Sequence, residues 1–232
     1  MKHAHTLTAL ALAALLTAAC APTATTTTVR PADPGPRAVG SSPIVNAASF
    51  FPVETGLAWE YLIEGDALSG EPILTRSIGP TTLDGQPAHR LRTTGRGIDI
   101  TRYYRHDASG LLLVREDRPG VVLQYQPPML VLPTEAHLTV GARWGGSTLA
   151  HVTFLEAPPE RQHQTIALEY LHHATDYRAV NTPAGTYDAF VITTEATDPA
   201  SGNPARYERW FTPYVGELRT ADALLLTRAI LQ

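Results

Sequence analysis

The chain gathers four histidines in one stretch: His151, His163, His172 and His173, with Glu169 among them. Imidazole and carboxylate are the side chains that hold zinc or carry protons near neutral pH. Their spacing argues against such a centre. A strand alternates its side chains, so His172 and His173 point apart, with Glu169 on the His173 face and Tyr170 on the His172 face. No His-Glu-x-x-His motif occurs. The expectation is histidines satisfied by hydrogen bonds or solvent, with no metal and no other cofactor.

A second cluster is basic and aromatic: Arg90, Arg92, Arg96, Arg102 and Arg105, laced with Tyr103 and Tyr104. Such a patch suits anionic headgroups or glycans. It equally suits a solvated strand face paired with carboxylates such as Asp99 and Asp107, and the second reading is the expectation. Gly-x-Ser-x-Gly, a glycine-rich phosphate loop and a dinucleotide fingerprint are all missing from the sequence. Glu60, Glu64, Glu169 and Glu195 are scattered, and no spacing pairs them for glycoside hydrolysis. A non-enzyme is expected. Beyond residue 43 the chain carries 15 Arg against 21 Asp and Glu. That excess of acid excludes the basic footprint of a nucleic-acid binder.

The one cysteine, Cys20, closes the apolar run from Leu10 to Ala19 that follows Lys2. A core this short fits a signal peptide and falls short of the ~20 residues that span a bilayer. Ala18 and Ala19 supply the small residues a signal peptidase needs. Leu16-Thr17-Ala18-Ala19-Cys20 resembles the bacterial lipoprotein signal, in which the cysteine carries a diacylglycerol and becomes the new N-terminus. The resemblance implies lipidation at Cys20. Ala21 in the following position implies the periplasmic face of the outer membrane rather than the inner membrane. Ala19-Cys20-Ala21 also fits an ordinary secretion site, in which case the protein is released. A chain with no second cysteine has no internal disulfide for Cys20 to join.

Residues 1–19 therefore read as a signal peptide and 20–43 as lipid anchor and tether. The tether holds Thr25-Thr26-Thr27-Thr28, Pro22, Pro31, Pro34 and Pro36, with too little apolar surface to offset its chain entropy. Residues 44–232 are enough for one good core.

The texture of 44–232 is short alternating apolar segments cut by Gly, Pro and Asp, which is antiparallel β. Strands are expected at Leu57–Ile63, Ile73–Ile78, Ala88–Thr94, Ile98–Arg105, Leu111–Glu116, Val121–Tyr125, Thr148–Glu156, Thr165–Leu171, Tyr177–Thr182, Tyr187–Glu195, Arg206–Phe211 and Leu224–Ile230. Pro127 to Pro133 reads as a crossing that interrupts the meander, and Leu218–Leu226 as the one window with helical periodicity. Gly56-x-x-Trp59 is echoed by Gly141-x-x-Trp144. The expected fold is mainly β: a single domain of about ten to twelve antiparallel strands in a strongly curved or partly closed meander sheet, after a disordered N-terminal tether.

Three stretches are informative together: Phe51-Pro52-Val53-x-x-Gly56-x-x-Trp59-x-Tyr61, Pro183-Ala184-Gly185-Thr186-Tyr187, and Trp210-Phe211-Thr212-Pro213-Tyr214-Val215-Gly216. In this order they resemble a group of uncharacterised bacterial envelope lipoproteins. The resemblance implies a curved antiparallel sheet, broadly similar to periplasmic lipoprotein carriers, and no catalytic residues. The expectation is a lipid-anchored, non-catalytic binding domain in the cell envelope. Its partner would be a lipid or other apolar small molecule, or another envelope component. Trp59, Tyr61, Tyr103, Tyr187 and Trp210 would face the ligand. The alternatives are a structural or assembly module without a ligand, and a hydrolase with an unrecognised site.

Overall fold

The computed structural model describes residues 47–200, 202 and 204–231. Cys20, the leader and the tether lie outside the described residues. Pro43–Gln232 forms one compact unit.

That unit is a closed barrel of twelve antiparallel strands: β1 (Ala58–Ile63), β2 (Ile73–Leu83), β3 (Gln86–Gly95), β4 (Ile98–Asp107), β5 (Gly110–Arg118), β6 (Val121–Pro133), β7 (Arg143–Phe154), β8 (His163–Thr182), β9 (Gly185–Thr197), β10 (Pro204–Thr212), β11 (Gly216–Arg219) and β12 (Leu224–Ile230). Each strand pairs with its successor, and β12 returns to β1, with Ala58 opposite Ile230 and Ile63 opposite Leu224. The expected partly closed sheet closes completely, leaving no unpaired edge.

Local chemistry explains the meander. Asp84-Gly85 and Arg96-Gly97 each hold two consecutive residues at positive φ. That is the two-residue turn whose twist matches paired strands, and it joins β2 to β3 and β3 to β4. Along β7 and the first half of β8, alternate residues turn inward: Trp144, Thr148, Ala150 and Val152, then Ile166, Tyr170, His172 and Ala174, all buried.

Three segments depart from the expectation. Thr165–Leu171 and Tyr177–Thr182 are parts of one twenty-residue strand, β8. The polar residues between them mark a bulge between Ala174 and Asp176, not a break. The proline-rich segment belongs to β6. Its prolines sit where β5 advances by Val114 alone while β6 runs from Gln124 to Met129, a bulge that removes the need for their missing donors. Leu218–Leu226 is not helical: its leucines belong to β11, a turn and β12. Leu218, Leu224 and Leu226 are buried in the core.

One end of the barrel is plugged by the chain that enters it. Phe51, Pro52 and Val53 are buried. Phe51 stacks on Phe211 at 5.9 Å and meets Tyr104 at 5.8 Å, while Phe50 packs edge-on to Phe211 at 5.4 Å. Backbone bonds fasten the plug: Ala47 N–H to the Tyr214 carbonyl at 2.8 Å and Tyr214 N–H to the Phe50 carbonyl at 3.0 Å. The Trp59 indole donates to the Val215 carbonyl at 2.7 Å. Gly216 has φ +110°, and a Cβ there would lie 3.2 Å from Trp59 Nε1. The opening and closing sequence stretches are thus two halves of one packing unit.

Candidate functional site

The interior changes character along the barrel axis. Near the plug it is apolar, with Phe51 stacked on Phe211 and Leu91 lining the same cavity; Leu111 and Leu132 belong to the same core. Toward the opposite end, where β4 starts and β5 and β11 finish, it becomes polar. Glu116 of β5 is 3% exposed. Its carboxylate accepts from Arg102 Nε at 2.7 Å and from Arg118 Nε at 2.5 Å. Asp222, in the turn before β12, stands 3.8 Å from the other side of Arg102. Deeper in, Arg209 donates to Glu217 at 2.7 Å and to the Val131 carbonyl at 3.1 Å, and the Tyr61 hydroxyl donates to the Glu217 carbonyl at 2.9 Å.

Burial and charge set the protonation states. Burial alone would raise the Glu116 carboxyl, but the two guanidinium groups outweigh it and hold it below its usual range. Burial pushes the Tyr104 hydroxyl up to about 12, against the opposing pull of Arg102. Tyr61 is raised well above its ordinary value, first by burial and then by the Glu217 charge. The tyrosines stay neutral and the glutamate stays an anion.

Between these groups and the plug lies a cavity of about 60 Å³, lined by Trp59, Tyr61, Leu91, Ile100, Arg102 and Tyr104 among others. A water needs roughly 10–15 Å³ of such space, whereas drug-sized ligands occupy pockets of roughly 300–1,000 Å³. The cavity takes a few waters or the tip of a larger molecule.

Of the five expected ligand-facing aromatics, the structure brings Trp59 and Tyr61 to this cavity and sends three elsewhere. Tyr103 faces outward, bonding Asp117 at 2.8 Å beneath the Arg115 guanidinium. Trp210 is also outside, donating to Glu208 at 2.7 Å, with Arg219 5.8 Å from the ring centroid. Tyr187 is buried near the β8–β9 tip, away from the cavity lining. Tyr104 joins the cavity instead, because β4 turns its even-numbered residues inward: Ile98, Ile100 and Arg102 precede it. Sequence reading missed Glu116, Arg118, Arg209 and Glu217. The available signal was charge at inward-alternating positions, as in Arg102-x-Tyr104.

The histidines do not converge. His151 bonds Thr165 at 3.2 Å and His163 bonds Thr153 at 3.3 Å, both on the outer surface. His172 turns inward, bonds Thr194 at 2.7 Å and stacks on Trp144 at 5.3 Å. Burial, helped by the Arg209 charge, depresses its imidazole to about 3, so it is neutral. Among the described residues no three His, Cys, Asp or Glu side chains meet in metal-holding geometry.

Fold and interior together define a closed, plugged twelve-stranded antiparallel barrel with a buried ion network. No family model matches the chain, and no curated protein matches it either. A solved Bacteroides fragilis protein, named for its inferred export and its YmcC-like fold, is similar at 13% identity and a TM-score of 0.41, over 79% of this chain and 100% of that one.

Proposed function

We propose that this chain is a cell-envelope protein anchored through a lipid on Cys20, whose non-catalytic barrel binds another envelope component through its outer surface. The leader and the Ala18-Ala19-Cys20 junction support the address. The occupied lumen carries the mode of binding. One end is plugged by Phe51, and the cavity behind it, about 60 Å³, is well below the roughly 300–1,000 Å³ of a pocket that encloses a whole small molecule.

The hydrolase alternative finds little support. The His172–Thr194 pair has the distance of a base and a nucleophile, but the two residues are 3% and 1% exposed. The apolar lining by Trp59, Leu91 and Ile100 favours a second reading, in which the cavity takes the tip of an apolar molecule.

Native mass spectrometry of residues 44–232 purified from cells separates the two: the bare polypeptide mass is expected. A stoichiometric lipid adduct would overturn the outer-surface reading and favour the second. Replacing Cys20→Ser should move the full-length protein out of the membrane fraction after a high-salt wash, which strips electrostatic attachment and spares a lipid anchor. Membrane fractionation that survives the wash would refute the anchor.

A further inference from the structure

We propose that the outer face of β2–β5 docks on a membrane surface bearing anionic headgroups. The inference rests on the reading that the barrel binds through its outside. Five arginines point outward from these four neighbouring strands: Arg76, Arg90, Arg92, Arg105 and Arg115. Register places them together. Arg76 lies directly opposite Arg92, and Arg90, Tyr103 and Arg115 form one row across β3, β4 and β5.

Folding does not account for this arrangement. Like charges set directly opposite on a sheet are destabilising. Two of the five have carboxylate partners: Arg92 pairs with Asp99 at 2.9 Å and Arg115 with Asp117 at 2.6 Å. Arg76, Arg90 and Arg105 form no ion pair within 4 Å among the described residues, although the Arg105 charge helps hold the nearby Asp107 carboxyl low. The Nε atoms of Arg90 and Arg105 are buried against the sheet, which leaves the outer guanidinium nitrogens to meet a headgroup. The charge is also lopsided. The chain is acidic overall, yet this face carries five arginines against Asp99, Asp107 and Asp117, while Glu169 and Glu195 line an open depression on β8 and β9, nearly opposite around the ring.

The chemistry matches phosphate-bearing headgroups. A guanidinium offers a planar fork of donors that grips phosphate oxygens in pairs, and it is weakly hydrated. Tyr103 supplies an amphipathic ring at the centre of the patch. Ile78, 39% exposed on β2, supplies an apolar contact at its edge.

The test uses residues 44–232, since the plug, all twelve strands and the core lie within 47–231. Sedimentation with phosphatidylglycerol vesicles should show binding that weakens as salt is raised, and phosphatidylcholine vesicles should show none. Each arginine near an anionic surface contributes enough that Arg76→Gln should weaken binding roughly fivefold, and Arg90→Gln with Arg105→Gln roughly thirtyfold. Arg76 is exposed, so its replacement reports binding even if the double variant is poorly folded. Arg206→Gln, on β10, should change nothing. Absent binding to phosphatidylglycerol at low salt overturns the proposal, as does equal binding to both lipids or equal loss in Arg206→Gln. Such a failure leaves the outer-surface reading intact, because that reading is judged by the contents of the lumen.

Discussion

Replacing Glu116→Gln tests whether the interior ion network holds the barrel together. The substitution keeps the shape of the side chain and removes the anion that Arg102 and Arg118 share. Removing one partner of a buried pair costs about 3–5 kcal/mol, because the other charge is left without compensation. Here the stranded Arg102 and Arg118 side chains are 27% and 30% exposed, so their charges regain some water. The expected loss is therefore at the lower end, about 3 kcal/mol. For a domain of ~190 residues that is about 6–12 °C in Tm. The sign of the pH dependence follows from the depressed carboxyl. Its contribution is complete above the unfolded value near 4.5 and disappears as pH falls through the lower folded value. Urea unfolding of both proteins at pH 7 and across the acid range should show the gap widest at pH 7, closing below 4.5. Equal stability at pH 7, or a gap indifferent to acid, would refute the reasoning.

Phe51→Ala removes the centre of the plug. The ring is 8% exposed and touches Phe211 and Tyr104, so a loss of about 3–5 kcal/mol is expected. A lower urea midpoint with an unchanged slope would check it. His172 should show no imidazole titration by NMR between about pH 5 and 8, since its folded value is about 3. The unfolded chain takes up that proton near 6.5 and the folded one does not, so stability should fall as pH drops from 6.5 toward 3. His172→Gln should flatten that part of the curve.

The strands were legible because alternation is a local property: Trp59 and Tyr61, or Ile98 and Ile100, declare their face within a few residues. Closure was not legible, because it depends on β1 meeting β12, a pairing between the two ends of the domain. Bulges were hidden for a related reason. The one-residue shift at Ala174–Asp176 leaves the even-numbered residues of β8 inward and reverses the inward face of the facing strand β9, while the exposed residues 175–179 read in sequence as a strand end. The same reversal explains why β9 is apolar on both sides: Tyr187 and Ala189 are buried, and so is Ile192 across the strand. The site was half legible. Aromatics announced the cavity through Trp59 and Tyr61, but the ion network is made of residues whose charge suggests the surface.

Closure and plugging are one design. The seam between β11 and β12 has a single register pair, Arg219 with Leu225, so the ladder there contributes little. Side chains from the other terminus reinforce it. The Trp59 indole reaches across to the Val215 carbonyl and the Tyr61 hydroxyl to the Glu217 carbonyl, both at or just before β11. The Arg219 guanidinium reaches Glu64 at 2.7 Å. Phe50 and Phe51 then cover the end of β10 at Phe211. The residues that fill the lumen are thus the same ones that fasten its weakest seam. Emptying the lumen for a large ligand would loosen the joint that closes the sheet. On the proposed reading, a barrel built this way keeps its interior for stability and makes its contacts through its outer face.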